Sequence, residues 1–300
     1  MNISALLDCF TSVSGFASQI TTSIVIAMIL FLVASGLSLI FGVLNISNFA
    51  HGSLYMIGVY LTYTVVSTLG SFWVALIVAP LGAGLIGFII ERVLIRRIYD
   101  APHLYQFLLT FGVLLVLDDL ARMVWGFTSK SIATPEIFQG PPMFVLGSPI
   151  PRYYLFIIGM GALIGLGLWF TLSRTKTGKL INAAASDPEM IEALGINVRL
   201  VYSLVFTIGA LLAGLAGFLA SPLRAATPGM GFSIIIESFI IMVIGGVGSV
   251  GGALIASFMV GLLRSFGTIG FPDYELGFVF FLVIAVLVVR PWGIFGTPQE

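Results

Sequence analysis

Charge is what this sequence most lacks. Asp, Glu, Lys and Arg make up 9% of its 300 residues, against roughly 25% in a soluble globular domain. So few charges cannot clothe a water-facing surface, and no basic stripe for nucleic acid is present. Cysteine is scarcer still: Cys9 stands alone, which excludes an internal disulfide and any multi-cysteine metal site. The two histidines, His51 and His103, lie in different segments without metal-ligand spacing. Catalytic signatures are missing as well, with neither an HExxH nor a nucleophile elbow. TKTGKL at 175–180 carries a Gly-Lys, but Ser173 stands where the first glycine of a phosphate loop belongs and Leu180 where Ser or Thr belongs. No catalytic residue, metal or cofactor is therefore expected. No basic residue precedes the first apolar run, so the layout of a cleaved signal peptide is lacking too.

What is abundant is apolar. Such residues make up 59% of the chain, and the mean hydropathy is +1.13. The alternating pattern of a membrane barrel is missing, so the reading is an all-α polytopic membrane protein. At about 20 residues per crossing there is room for about eight or nine helices and no separate soluble domain. Residues 1–300 thus read as one transmembrane domain. Spans are expected at 22–44, 46–68, 72–90, 104–124, 153–172, 200–221, 233–249, 251–268 and 276–290. Nine crossings put three basic patches on one side: Arg92, Arg96 and Arg97; Arg174, Lys176, Lys179 and Arg199; and Arg290. That side holds eight of the thirteen Lys and Arg residues, which makes it cytoplasmic. The N-terminus is then outside, the C-terminus inside, and proline-rich 125–152 is the longest external loop.

The charged stretch 174–199, RTKTGKLINAAASDPEMIEALGINVR, must be a cytoplasmic loop. Within it Asp187 can cap a helix, Pro188 suits its first position, Glu189 favours the positive end of the dipole, and Gly195 can end it. The spacing predicts a short surface helix over 188–194 with Met190, Ile191 and Leu194 pointing outward. An apolar outer face on a wet loop suits docking onto another protein.

Span two opens with Asn45, Asn48, His51, Ser53 and Tyr55. Positions 48, 51 and 55 would share one helix face, a stripe too polar to meet lipid, and so would line the bundle interior or a water-filled path. The asparagines could equally cap the turn between the first two spans, and His51 could be a packing histidine. Glu237 is the one acid set inside an apolar run away from loops, and Arg224 or Arg264 could pair with it. Asp118 and Asp119 can each pair with Arg122, more simply a structural cluster than a proton relay. IGGVGSVGGA at 244–253, with five glycines in eight positions, fits either a re-entrant backbone or a tight cytoplasmic turn, the latter agreeing with the charge count. Small residues four apart at Gly161 and Gly165, Ala210 and Gly214, and Ala213 and Gly217 read as close helix packing.

Three classes fit these features: a transport subunit driven by a separate ATPase, a self-contained secondary transporter or channel, and a membrane enzyme. GLSLIFGVLNISNFAHGSLYMIG (36–58), ASDPEMIEALGIN (185–197), GGVGSVGGALI (245–255) and RPWGIFG (290–296) occur in this order along the chain. Together they resemble the permeases of branched-chain amino acid ABC transporters, in particular the shorter of the two permease types. The resemblance implies a bacterial inner-membrane importer with a second homologous permease, two ATP-binding-cassette ATPases and a periplasmic solute-binding protein. It implies that Ala185 to Gly195 is the coupling helix, with Ser186, Asp187, Pro188, Glu189, Met190, Ala193, Leu194 and Gly195 against the ATPase. Asn45, Asn48, His51, Ser53, Tyr55 and Glu237 would then line the path. Related permeases serve urea, short amides and aromatic acids, so the expected solute is a branched-chain amino acid or a related small polar molecule.

Overall fold

The longest apolar run folds into one 32-residue helix, α1 (Val13–Leu44), and the other helices pack around it. The structure, a computed structural model, describes residues 10–296; Cys9 lies outside them. The described residues form eleven α-helices. After α1 come α2 (Ala50–Leu69), α3 (Phe72–Val93), α4 (His103–Trp125), α5 (Arg152–Arg174), α6 (Lys176–Ser186) and α7 (Pro188–Ala193). The chain continues through α8 (Val198–Ala220), α9 (Met230–Gly245), α10 (Val250–Gly270) and α11 (Glu275–Val289). Six of them, α1, α2, α3, α5, α8 and α10, are long and apolar enough to cross a bilayer. α9 and the apolar part of α11 are shorter, and α4 carries Asp118, Asp119 and Arg122 in its last two turns.

Burial separates centre from rim. The most apolar stretch of α1 is 83% buried and that of α8 78%, whereas that of α5 is 11% buried. α5 turns Leu163, Leu166, Trp169 and Phe170 outward, and α11 exposes Phe281, Ile284 and Val288. Apolar rims around a buried centre suit a bundle immersed in lipid.

Small residues set the inner spacing, because lipid supplies no hydrophobic push between helices. A Cβ on Gly36 of α1 would come 2.8 Å from Gly209 O of α8. The expected small-residue pairs all lie at such contacts. Gly161 and Gly165 face Met28 and Phe31 of α1, Gly214 faces Ala83, and Gly217 faces the α2 backbone.

Several expectations shift. α1 begins at Val13 rather than near 22, and α2 begins at Ala50 rather than 46, with Ile46 to Asn48 outside any helix. Asn45 ends α1 in the left-handed conformation (φ 54°), where its N–H reaches Phe41 O at 2.8 Å. The all-α reading omits one element: 125–152 contains an antiparallel hairpin, β1 (Met143–Val145) and β2 (Ser148–Ile150). Leu146 and Gly147 turn it with positive φ values of 51° and 80°, as a right-twisted two-residue hairpin requires. The glycine-rich 244–253 is a tight turn: α9 stops at Gly245, Gly246 and Gly248 take positive φ, and Ser249 caps α10 by accepting from Gly252 N at 3.0 Å.

Candidate translocation path and coupling surface

The four polar residues from Asn48 to Tyr55 are all buried, yet they do not form the single stripe expected. Asn48 precedes α2, so only His51 and Tyr55, four apart, share a helix face. His51 is fully buried and its Nε2 donates to Val33 O of α1 at 3.0 Å, leaving Nδ1 without a partner. Ser53 points elsewhere, donating to Leu114 O of α4 at 3.4 Å. Asn48 has both amide atoms buried and unpartnered, and Tyr55 has its hydroxyl buried and unpartnered. Such groups destabilise a packed interior unless something else satisfies them, so these three positions are where a polar solute or water would be welcome. Asn45 belongs to a different place, exposed at the end of α1.

Glu237 sits midway along α9, and of its two candidate partners it meets Arg264 of α10, at 2.5 Å. The cluster on α4 forms as its spacing predicts, Arg122 meeting Asp118 at 2.5 Å and Asp119 at 3.0 Å. Asp118 also accepts the N–H of Gly229, tying α4 to the start of α9.

The sequence reading missed Glu91. It lies in the last turn of α3 with no exposed surface, so Glu237 is not the only acid drawn into the bundle. Arg96 Nε lies 3.4 Å from its carboxylate, Ser203 of α8 donates to it at 2.6 Å, and the Tyr99 hydroxyl donates as well. Burial and the adjacent Glu91 push the Tyr99 phenol far above its ordinary pKa, so it stays a donor. Arg96 reaches on to Arg199 O at 3.2 Å. Two of the basic patches therefore touch. The available signal was Glu91 five residues before Arg96, hidden because the run Arg92, Arg96 and Arg97 reads as purely basic.

At the same end lies the loop 174–199. Thr175 caps α6 and Asp187 caps α7, its Oδ1 accepting from Met190 N at 2.9 Å. Gly195 ends α7 with φ 81°, and Asn197 caps α8. Ser186, Asp187, Pro188, Glu189, Met190, Ala193, Leu194 and Gly195 are all exposed. Ile191 is the correction: it is 7% exposed and anchors α7 inward, while Met190 (57%) and Leu194 (68%) present the apolar face.

The segment RPWGIFG folds back onto the α9–α10 turn, where Ile294 and Phe295 donate backbone hydrogen bonds to Ile244 O and Gly245 O at 2.9 and 3.0 Å. A cleft of 690 Å³ there is lined by Gly42, Asn45, Ala185, Val247 and Trp292, among others. Each of the four motif segments contributes to it, so segments far apart in sequence meet at one place in the fold.

A lipid-compatible bundle with unpartnered polar groups at its centre and a capped, exposed helix at one end defines a membrane transport subunit. The chain belongs to the family described as branched-chain amino acid transport system, permease component, whose sequence profile matches residues 19–287. It is 30% identical to the high-affinity branched-chain amino acid transport system permease protein BraD of Pseudomonas aeruginosa, over 95% of this chain and 97% of that one. It is 29% identical to LivH, the corresponding permease protein of Escherichia coli K12, over 95% and 96%. Among solved structures, a chain of PsaBC from Streptococcus pneumoniae in complex with Fab aligns over 89% of each chain with a TM-score of 0.49 and 14% identity.

Proposed function

We propose that this chain is one of two permease subunits of an ATP-driven importer in a bacterial plasma membrane, carrying branched-chain amino acids inward. The solute is delivered by a periplasmic binding protein, and ATP is hydrolysed by two separate cassette subunits. Family membership over nearly the whole chain supports the class. The observation that carries the mechanism is α7, anchored by Ile191, capped by Asp187 and stopped by Gly195, with Met190 and Leu194 left bare.

The loop 174–199 faces the cytoplasm in this reading, with the patches of Arg92 to Arg97, Arg199 and Arg290 on the same side. Residues 1–300 act as one membrane domain. Closure of the ATPase dimer pushes α7, and α8, which follows it directly, passes the movement to the centre of the bundle. There Asn48, His51 and Tyr55 offer polar contacts to a solute crossing from one side to the other, with Glu237 along the same route. The Glu91 network ties the end of α3 to the start of α8, so the two would move together.

Purification of the tagged chain from solubilised membranes tests this. Recovery of a second permease and an ATPase, with leucine uptake in liposomes that needs ATP, is the expected result. A chain recovered alone and transporting without ATP would make it a secondary transporter or channel.

A further inference from the structure

The connection between α8 and α9 is pinned more firmly than a surface loop needs. Lys130 and Ala226 exchange both backbone hydrogen bonds, at 2.9 and 2.8 Å. Gly229 donates to Asp118, which Arg122 holds in turn. Beside this frame opens a cavity of 410 Å³ lined by Tyr55, Arg224, Thr227, Met230 and Ser233, among others. A second cavity of 260 Å³ shares Tyr55 and Arg224 with it. The larger volume is within the usual range for small-molecule sites.

The polar groups here favour one sign of charge. Tyr55 is 1% exposed, and its hydroxyl has no hydrogen-bond partner. It lines both cavities together with Arg224. Glu237 is already committed to Arg264 and Asp118 to Arg122, so neither acid is left over for a cation. Arg224 lies exposed at the rim. α9 starts at the cavity with Gly229 as its cap, whose N–H is taken by Asp118, while Met230 N is held by Thr227 O. The start of α9 is therefore already served by the Asp118 carboxylate, and the anion-favouring groups left at the cavity are Arg224 and the Tyr55 hydroxyl.

We propose that this cavity binds the carboxylate of the transported solute, with Arg224 as its ion partner and the Tyr55 hydroxyl as a donor. This rests on the transport reading and narrows it. Met230, Ile234 and Pro228 line the remaining wall and suit an aliphatic side chain. Urea and short amides lack the carboxylate and would bind poorly, so a carboxylic acid with an aliphatic side chain, amino acids included, is the solute class that fits.

The test uses the assembled transporter in liposomes with its binding protein, ATP and radiolabelled L-leucine. The maximal rate and the binding-protein concentration for half-saturation are read separately. Arg224→Gln and Tyr55→Phe are each expected to lower the maximal rate about tenfold or more, the effect of losing a hydrogen bond to a charged group. Half-saturation should stay in place, and Arg224→Lys should recover part of the rate by keeping the charge. Tyr55→Phe conserves shape and removes only the free hydroxyl, so it reads the site without disturbing packing. Rates within about twofold of the unaltered protein for both variants would sink the site. A raised half-saturation with a normal maximum for Arg224→Gln would make Arg224 a docking residue for the binding protein, again overturning the proposal. Absence of leucine uptake by the unaltered complex would remove the transport reading itself, and the site with it.

Discussion

Glu91 shows what a single buried charge demands of its neighbours. A carboxylate without exposed surface is tolerated because Arg96, Tyr99 and Ser203 all point hydrogens at it. Removing one partner strands the charge, whereas removing the charge relieves the partners. Arg96→Met should therefore destabilise the purified protein by roughly 3–5 kcal/mol, the usual penalty for breaking a buried pair from one side. Adding Glu91→Gln to Arg96→Met should restore much of that loss. Thermal unfolding in detergent of the two single variants and the double variant checks this cycle. Simple addition of the two single effects would show that Arg96 and Glu91 do not act as a pair. The same network explains why a serine sits at position 203 on an otherwise apolar face of α8. It gives a hydrogen to Glu91 and takes one from Arg96 at 2.9 Å.

Among the elements, α7 has the clearest local code. Its start and stop were legible because capping is short-range: Asp187 reaches Met190 N three residues on, and Gly195 alone can take φ 81° without strain. Proline cannot adopt that φ, so Gly195→Pro must undo the end of α7. Nothing lies within 4 Å of a Cβ built there, so the damage would come from the backbone and not from crowding. Glu189→Arg instead keeps the backbone and reverses the charge at the positive end of the helix dipole. Both variants should reach the membrane while uptake falls about tenfold, within the effect of a coupling free energy of ~1–3 kcal/mol. ATPase activity that still runs but no longer tracks uptake is the expected signature; normal solute-driven uptake in both variants would refute the coupling assignment. Features that depend on distant partners were not legible in the same way. Ile191 looks outward on the short-range pattern but is buried by its tertiary setting. In α6, Ile181 and Ala184 are buried only because the helix packs beside α5, α1 and α8. Asn48 seemed helical because its spacing to His51 and Tyr55 fits one helix face, yet the left-handed Asn45 ends α1 and Thr110 of α4 holds Ser47 O at 3.0 Å.

For the whole molecule the decisive question is which way it sits. The described residues sort into two ends by contact. Arg96 meets Arg199, and Ala185 shares a cleft with Trp292. At the opposite end, Asp118 meets Gly229, Lys130 meets Ala226, and β2 packs on α1. The first end is rich in Lys and Arg, and the second carries the hairpin and the proline-rich loop. In the proposed orientation the positive-inside rule puts α7 in the cytoplasm, as an odd number of crossings from an external N-terminus would. Because Cys9 is the only cysteine, Cys9→Ser yields a cysteine-free background for a direct measurement. Single cysteines replacing exposed Ser186 and exposed Phe144 report the two ends without touching the core. In intact cells stripped of their outer barrier, a membrane-impermeant maleimide should label the variant at 144 and spare the one at 186. In inverted vesicles the preference should reverse. Labelling of both from the same face would mean that the two ends are not separated by the bilayer. Labelling in the opposite sense would place α7 beside the binding protein instead of the ATPase, where it could not receive the push of ATP-driven closure.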